Sequence, residues 1–311
     1  MTSGNESLSL WASIAFLAFV VLLLRIVPAY AVTNAEFDTL ERGDLVIRFN
    51  RPLSGVANEI ARFFPKAKTE LSTLLGWELV SISEVVLVRD HEAFRMVAGS
   101  DMVVAFADPR KGRIVVDCSR IGMPHFDLEM VFKHELCHLF LHFHIPSGLP
   151  RWLDEGIAQW TSGGLGEILV ENRTSILDEA VLSGRVFRFD DLTFSFPEDR
   201  YGVALAYEQS KSFVEYMAAT YGTPELVALL NLLKDGTAID EAVHNTMGLP
   251  LAHIERNWLS HFGTRTAWLA YVSNNLYEIL FLLAALLTVI GAVKIVTARL
   301  IARRRREEDD E

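Results

Sequence analysis

Cysteine is scarce in this chain. Only two occur in 311 residues, Cys118 and Cys137, which excludes a disulfide-stapled scaffold and a four-cysteine zinc module. Positive charge is short as well: 29 Lys and Arg face 40 Asp and Glu, a formal net charge of −11. No basic stripe crosses the middle of the chain, so nucleic acid is not an expected partner. No repeat at solenoid or propeller periods is present, and no low-complexity linker divides the sequence.

Charge is missing altogether from two stretches near the ends. Leu8 to Leu24 carries none, and neither does Ile279 to Val293. The first leads into Pro28-Ala29-Tyr30-Ala31, the small-x-small pattern of a cleavable secretory signal. Residues 1–7 hold Glu6 and no Lys or Arg, an unusual start for a signal. Residues 1–31 are therefore read as a signal peptide or an N-terminal anchor. The second stretch, carried on through Lys294 towards Ile301, is about long enough to span a bilayer. Arg303 to Arg306 follow it at once, and such a cluster stays cytoplasmic. The expected layout is an extracytoplasmic domain at 32–275, a transmembrane helix in the lipid bilayer at 276–301, and a charged cytoplasmic tail at 302–311. The chain then sits in the cell membrane, crossing once, or twice if the N-terminal segment is retained. On that side of the membrane a Cys118–Cys137 disulfide is chemically allowed.

Inside 32–275 the apolar pattern changes period. Leu45 to Phe49, Glu84 to Val88, Met102 to Phe106 and Arg113 to Cys118 read as strands. The last two form a hairpin around the turn at Asp108 to Gly112. Val56 to Leu75 has helical spacing and stops at Gly76. After Pro124, helices are expected at 127–142, 151–161, 202–221, 223–234 and 250–262. Strands come first and helices follow, an α+β arrangement.

The chemistry concentrates in His134-Glu135-Leu136-Cys137-His138. On an α-helix, residues four apart stand one above the other, so both imidazoles can reach one metal ion. Glu135, next along the helix, can reach a water beside that metal. By composition alone this pattern would occur about 0.02 times in such a chain. Catalytic zinc takes three protein ligands and keeps one open position. Two residues compete for the third place. His144 lies six positions after His138, but that placement needs a sharp reversal where Leu141 stands, and leucine resists a left-handed backbone. Glu155 lies in Pro150-Arg151-Trp152-Leu153-Asp154-Glu155-Gly156-Ile157-Ala158. Pro150 suits the start of a second helix, which can run back along the first and aim Glu155 at the histidine pair. Glu155 is the better placed of the two. Asp154, turned about 100° away, suits a supporting role behind the ligands or a cap on the turn.

With both helices in view, the chain resembles the gluzincin metallopeptidases, and in particular the peptidase MA-like domains, over roughly residues 45–262. The resemblance implies a zincin-like fold, a mixed N-terminal sheet with helices followed by a helical lobe. It implies one zinc ion per chain on His134, His138 and Glu155, and Glu135 as general base. It further implies that the strand at 113–118 is the sheet edge along which an extended peptide or protein substrate lies. Related enzymes add an oxyanion donor; Tyr201 and Tyr207 are candidates, and Tyr207 sits in a segment that resembles the family's downstream helix. The expected activity is peptide-bond hydrolysis, by default within the substrate chain. The alternative is a non-catalytic zinc-binding domain that holds peptides or partner proteins at the membrane surface.

Overall fold

Alternating apolar residues build the sheet. In the computed structural model, which describes residues 37–79, 84–100, 102–123, 126–164, 176–274 and 276–309, five strands pair in the order β1-β2-β3-β5-β4. They are β1 Asp38–Arg42, β2 Leu45–Phe49, β3 Glu84–Val88, β4 Ala105–Asp108 and β5 Arg113–Asp117. β2, β3 and β5 run parallel, while β1 and β4 pair antiparallel at the two edges. Leu45, Ile47, Val85, Leu87, Ile114 and Val116 share one face and are fully buried. Val115 and Asp117 point to the other face. The expected N-terminal signal or anchor at 1–31 lies outside the described residues.

One expectation is corrected here. The strand at 113–118 is not an edge; β5 is flanked by β3 and β4, and the edge on that side is β4. A hairpin makes either strand look like an outer one in sequence, and only the β3–β5 pairing decides which lies inside. Met102 to Phe106 also starts too early as a strand, since the ladder runs from Ala105 to Asp108. The reading missed β1, whose Asp38-Thr39-Leu40-Glu41-Arg42 is polar and largely exposed, as an edge strand can afford to be.

Helix α1, Ser54–Leu75, closes on Gly76 in the left-handed conformation expected of it. It lies on the core face with α3, Leu128–His144, and the two meet where Phe63 and Phe64 flank Phe132 at ring distances of 5.5 and 6.3 Å. The short helix α2, His91–Ala98, covers the opposite face, with Phe94 against Phe106 at 5.7 Å. Beyond α3 the chain is helical: α4 Arg151–Ser162, α5 Ile176–Leu182, α6 Arg200–Tyr221, α7 Thr223–Lys234, α8 Ile239–Met247, α9 Leu251–Asn274 and α10 Leu276–Asp309. α4 packs tightly on α6. A Cβ on Gly156 would stand 2.7 Å from the Ser210 carbonyl oxygen and 2.6 Å from Val214 Cγ2, so the approach requires glycine. An aromatic cluster of Trp152, Phe189, Phe213 and Trp258 welds α4, α6 and α9 together, with Phe189 and Phe213 stacked at 4.0 Å.

The architecture is thus mixed α+β, a five-stranded sheet followed by a helical lobe. The region expected to cross a membrane is helical in α10, yet among the described residues no helix is long and apolar enough to do so. Cys118 and Cys137 are free and buried. The allowed disulfide is therefore not formed in this structure, and burial raises the two thiols to about 12 and about 11 respectively.

Candidate active site

Helix α3 starts at Asp127, whose carboxylate accepts a hydrogen bond from Met130 N at 2.9 Å, a side-chain N-cap. The sheet covers one side of α3 and α4 the other, so His134 to Leu141 are buried all round. This is more than the one apolar stripe the sequence suggests. α3 ends at His144, and Gly148, with φ of +81°, turns the chain back. α4 then leaves Pro150 and brings Glu155 opposite the histidine pair.

Three donor atoms converge there. Nε2 of His134 and Nε2 of His138 are 3.1 Å apart. Glu155 Oε2 lies 3.6 Å from the first and 3.5 Å from the second. Zinc bonds of about 2.0–2.1 Å in a tetrahedral arrangement separate their donors by about 3.3 Å. The triangle therefore fits zinc, and Glu155 Oε2, although buried, has no hydrogen-bond partner among the described residues. His134, His138 and Glu155 can hold one metal ion together. Glu135 is buried beside them and reaches the floor of a cleft of about 510 Å³.

A second layer supports the donors. Asp154 bonds His138 Nδ1 at 2.7 Å through one oxygen and His142 Nε2 at 2.8 Å through the other. This is the supporting place anticipated for Asp154. His142 and Asp154 with His138 form a second cluster of potential donors, but their mutual hydrogen bonds already occupy the atoms that would bind. Burial works against charge on Asp154 and Glu155. The facing histidines, and Arg151 beside Glu155, more than offset it and lower both carboxyls below their usual range. Burial likewise opposes the His138 imidazolium, but Asp154 and Glu155 outweigh it and raise that pKa well above the ordinary value.

The rival third ligand goes elsewhere. His144 Nε2 bonds the Glu78 carbonyl at 3.1 Å, and its ring lies on Trp77 at 4.7 Å, away from the triangle. Tyr207, on α6, lines the cleft, and its hydroxyl donates to Glu155 Oε1 at 3.2 Å. Tyr201 is exposed and does not line the cleft. Sequence reasoning missed Arg151 and Phe196. Arg151 Nη2 lies 3.1 Å from Glu155 Oε1, and its position four residues before Glu155 was a readable sign. Phe196 sits in an irregular loop with no local pattern, 5.1 Å beneath the Arg151 guanidinium and edge-on to Tyr207 at 5.2 Å.

β4 forms the opposite wall of the cleft. Asp117 N donates to Val104 O at 2.8 Å, so positions 104, 106 and 108 are the hydrogen-bonded pairs with β5 and the amides of Ala105 and Ala107 turn outward. Met102, Val103 and Phe106 line this side, and Phe194, 93% exposed, stands at the rim across from them.

No curated protein matches the chain. Among solved structures, Legionella pneumophila aminopeptidase A, in complex with aspartic acid, aligns with a TM-score of 0.45 and 14% identity, over 73% of this chain and 28% of that one. The chain thus spans well under half the length of that enzyme. A model of the Peptidase MA superfamily matches residues 104–263, which run from the edge strand through both motif helices into α9. Matched over just over half of its length, the chain belongs to the Peptidase MA superfamily.

Proposed function

We propose that the protein is a membrane-anchored, zinc-dependent metallopeptidase that hydrolyses peptide bonds, with one zinc ion per chain on His134, His138 and Glu155. The observation that carries this reading is the convergence of the two Nε2 atoms and Glu155 Oε2 at 3.1–3.6 Å beside Glu135. Zinc bound there would supply a Lewis acid that lowers the pKa of a water towards 7 and polarises a carbonyl.

The chain's own groups do the rest. Asp154 accepts a hydrogen bond from Nδ1–H of His138, fixing the tautomer that points the Nε2 lone pair at the donor triangle. Glu135, one residue along from His134, accepts the proton of the attacking water and hands it to the departing amine. An extended peptide lies along β4, where the outward amide of Ala107 and its neighbouring carbonyls pair with the substrate backbone and accept many sequences. Phe106, Phe194 and Phe196 narrow the cleft and keep water from the reacting bond.

Anchoring rests on the uncharged stretch at 279–293 and the arginines after it, by the length and charge rules. It is supported by Leu280, Phe281, Leu282, Leu286 and Leu287, which stand exposed along α10. On this reading 32–275 faces the extracytoplasmic side. The full chain should pellet with membranes and come away with detergent but not with alkaline carbonate; release by carbonate would remove the anchor.

The activity test uses the full chain in detergent, zinc-loaded, beside Glu135→Gln. Each is incubated with a diverse peptide library and the products are weighed by mass spectrometry. Cuts that vanish in Glu135→Gln establish the peptidase, and their positions decide between internal and terminal cleavage. One zinc bound and no cuts by either protein would give precedence to the non-catalytic peptide-binding domain.

A further inference from the structure

The two oxygens of Glu155 meet different surroundings. Oε2 faces the histidine pair. Oε1 accepts a hydrogen bond from the Tyr207 hydroxyl at 3.2 Å and lies 3.1 Å from Arg151 Nη2. The two donors come from separate helices, α4 and α6. Both are tied to one ring, since Phe196 carries the Arg151 guanidinium on its face and meets Tyr207 at its edge. Gln159, fully buried, fixes the register between the helices at this level. Its Nε2 donates to the Glu155 carbonyl at 3.2 Å and to the Tyr207 carbonyl at 3.0 Å.

We infer that Arg151 and Tyr207 are positioning residues: a clamp that occupies Glu155 Oε1 and so makes Glu155 a one-oxygen metal ligand. The inference rests on the metal-site reading above and extends it. A carboxylate can take a metal through one oxygen or two. A hydrolytic site needs a position left open for water and the substrate carbonyl. A charge-assisted bond from Arg151 and a hydroxyl bond from Tyr207 hold Oε1 off the metal. Turning Glu155 to offer both oxygens would break both bonds inside a buried site, where such bonds are strong. The structure thereby sets the coordination number through groups that never touch the ion.

The test reads coordination directly. The full chain is loaded with Co²⁺ in place of zinc, and its visible absorption is recorded beside Tyr207→Phe, Arg151→Gln and the double variant. Four-coordinate cobalt absorbs strongly and five-coordinate cobalt weakly. The wild-type protein should give the strong bands and the double variant the weak ones, each single variant lying between. Zinc affinity, measured by competition with a chromogenic chelator, should fall by about 10- to 100-fold in the double variant. Tyr207→Phe removes one oxygen and keeps the ring on Phe196, so it reports the clamp even where Arg151→Gln fails to fold. Variants with the wild-type spectrum and unchanged zinc affinity would overturn the clamp and leave the metal site standing. A wild-type chain that takes up neither Co²⁺ nor zinc would overturn both.

Discussion

The two walls of the cleft are built on different terms. The helical wall, α3 and α4, concentrates His134, Glu135, His138, Asp154 and Glu155 in the buried interior. Asp154 and Glu155 persist there because each is answered by other groups: Asp154 by two histidines, Glu155 by the facing histidine pair, Arg151 and Tyr207. The strand wall, β4 with the chain leading into it, offers outward amides and half-buried apolar side chains. On the proposed function, chemistry belongs to the wall where burial forces polar groups into one geometry, and recognition to the wall where backbone groups are still open. A substitution on the first wall should change turnover or metal affinity, and one on the second should change substrate binding.

The sharpest break is Glu135→Gln, expected to lower kcat by about 10²- to 10⁴-fold with zinc content unchanged. A loss of zinc together with activity would mean that Glu135 holds the site together rather than moving a proton. Asp154→Asn comes next. Zinc affinity should weaken about 10- to 100-fold as His138 loses its orienting partner, and isothermal titration would read it; unchanged affinity would deny Asp154 that role.

Acid should attack the same wall. Asp154 and Glu155 are lowered and stay charged into mild acid, whereas His138, raised by those carboxylates, holds a proton that zinc must displace. Zinc affinity should therefore rise with pH, by about tenfold per unit while His138 is protonated, and level off above its pKa. A flat profile between pH 5 and 8 would contradict the ion pairing. Gly156→Ala probes the packing behind the wall. Its methyl overlaps the Ser210 carbonyl and Val214, which should destabilise the fold by about 1–3 kcal/mol, read as a lowered Tm.

The smallest effect belongs to the strand wall. Ala107→Pro deletes an outward amide on an edge strand, where proline is tolerated. It should lower kcat/KM by about three- to tenfold through KM, the size of one net hydrogen bond, and leave metal affinity alone. An equal fall in kcat would undo the separation between the walls.

How much of this was legible depended on how local each feature is. The α3 histidines and Glu135 were readable because helical pitch converts a spacing of four into a shared face. The helix at 151–161 was readable from Pro150 at its start. β1 was hidden by its polarity, and α2, α5 and α8 by being short and partly exposed. The edge was misplaced on β5 because strand order is a pairing between distant segments, which no residue in the hairpin encodes.

The sequence by itself determined the two-histidine, one-glutamate spacing on one helix, the second motif helix and the uncharged stretch near the C-terminus, since each follows from spacing or composition along a few turns of chain. Only the tertiary structure decided that Glu155 and not His144 completes the triangle. His144 is one short step along the same helix, but that step turns it towards Trp77 and Glu78. Likewise, only the α4–α6 packing placed Tyr207 on Glu155. A donor's position relative to a metal is set by distances between segments far apart in the chain. Those distances follow from which surfaces can be buried together, and that is a property of the whole fold.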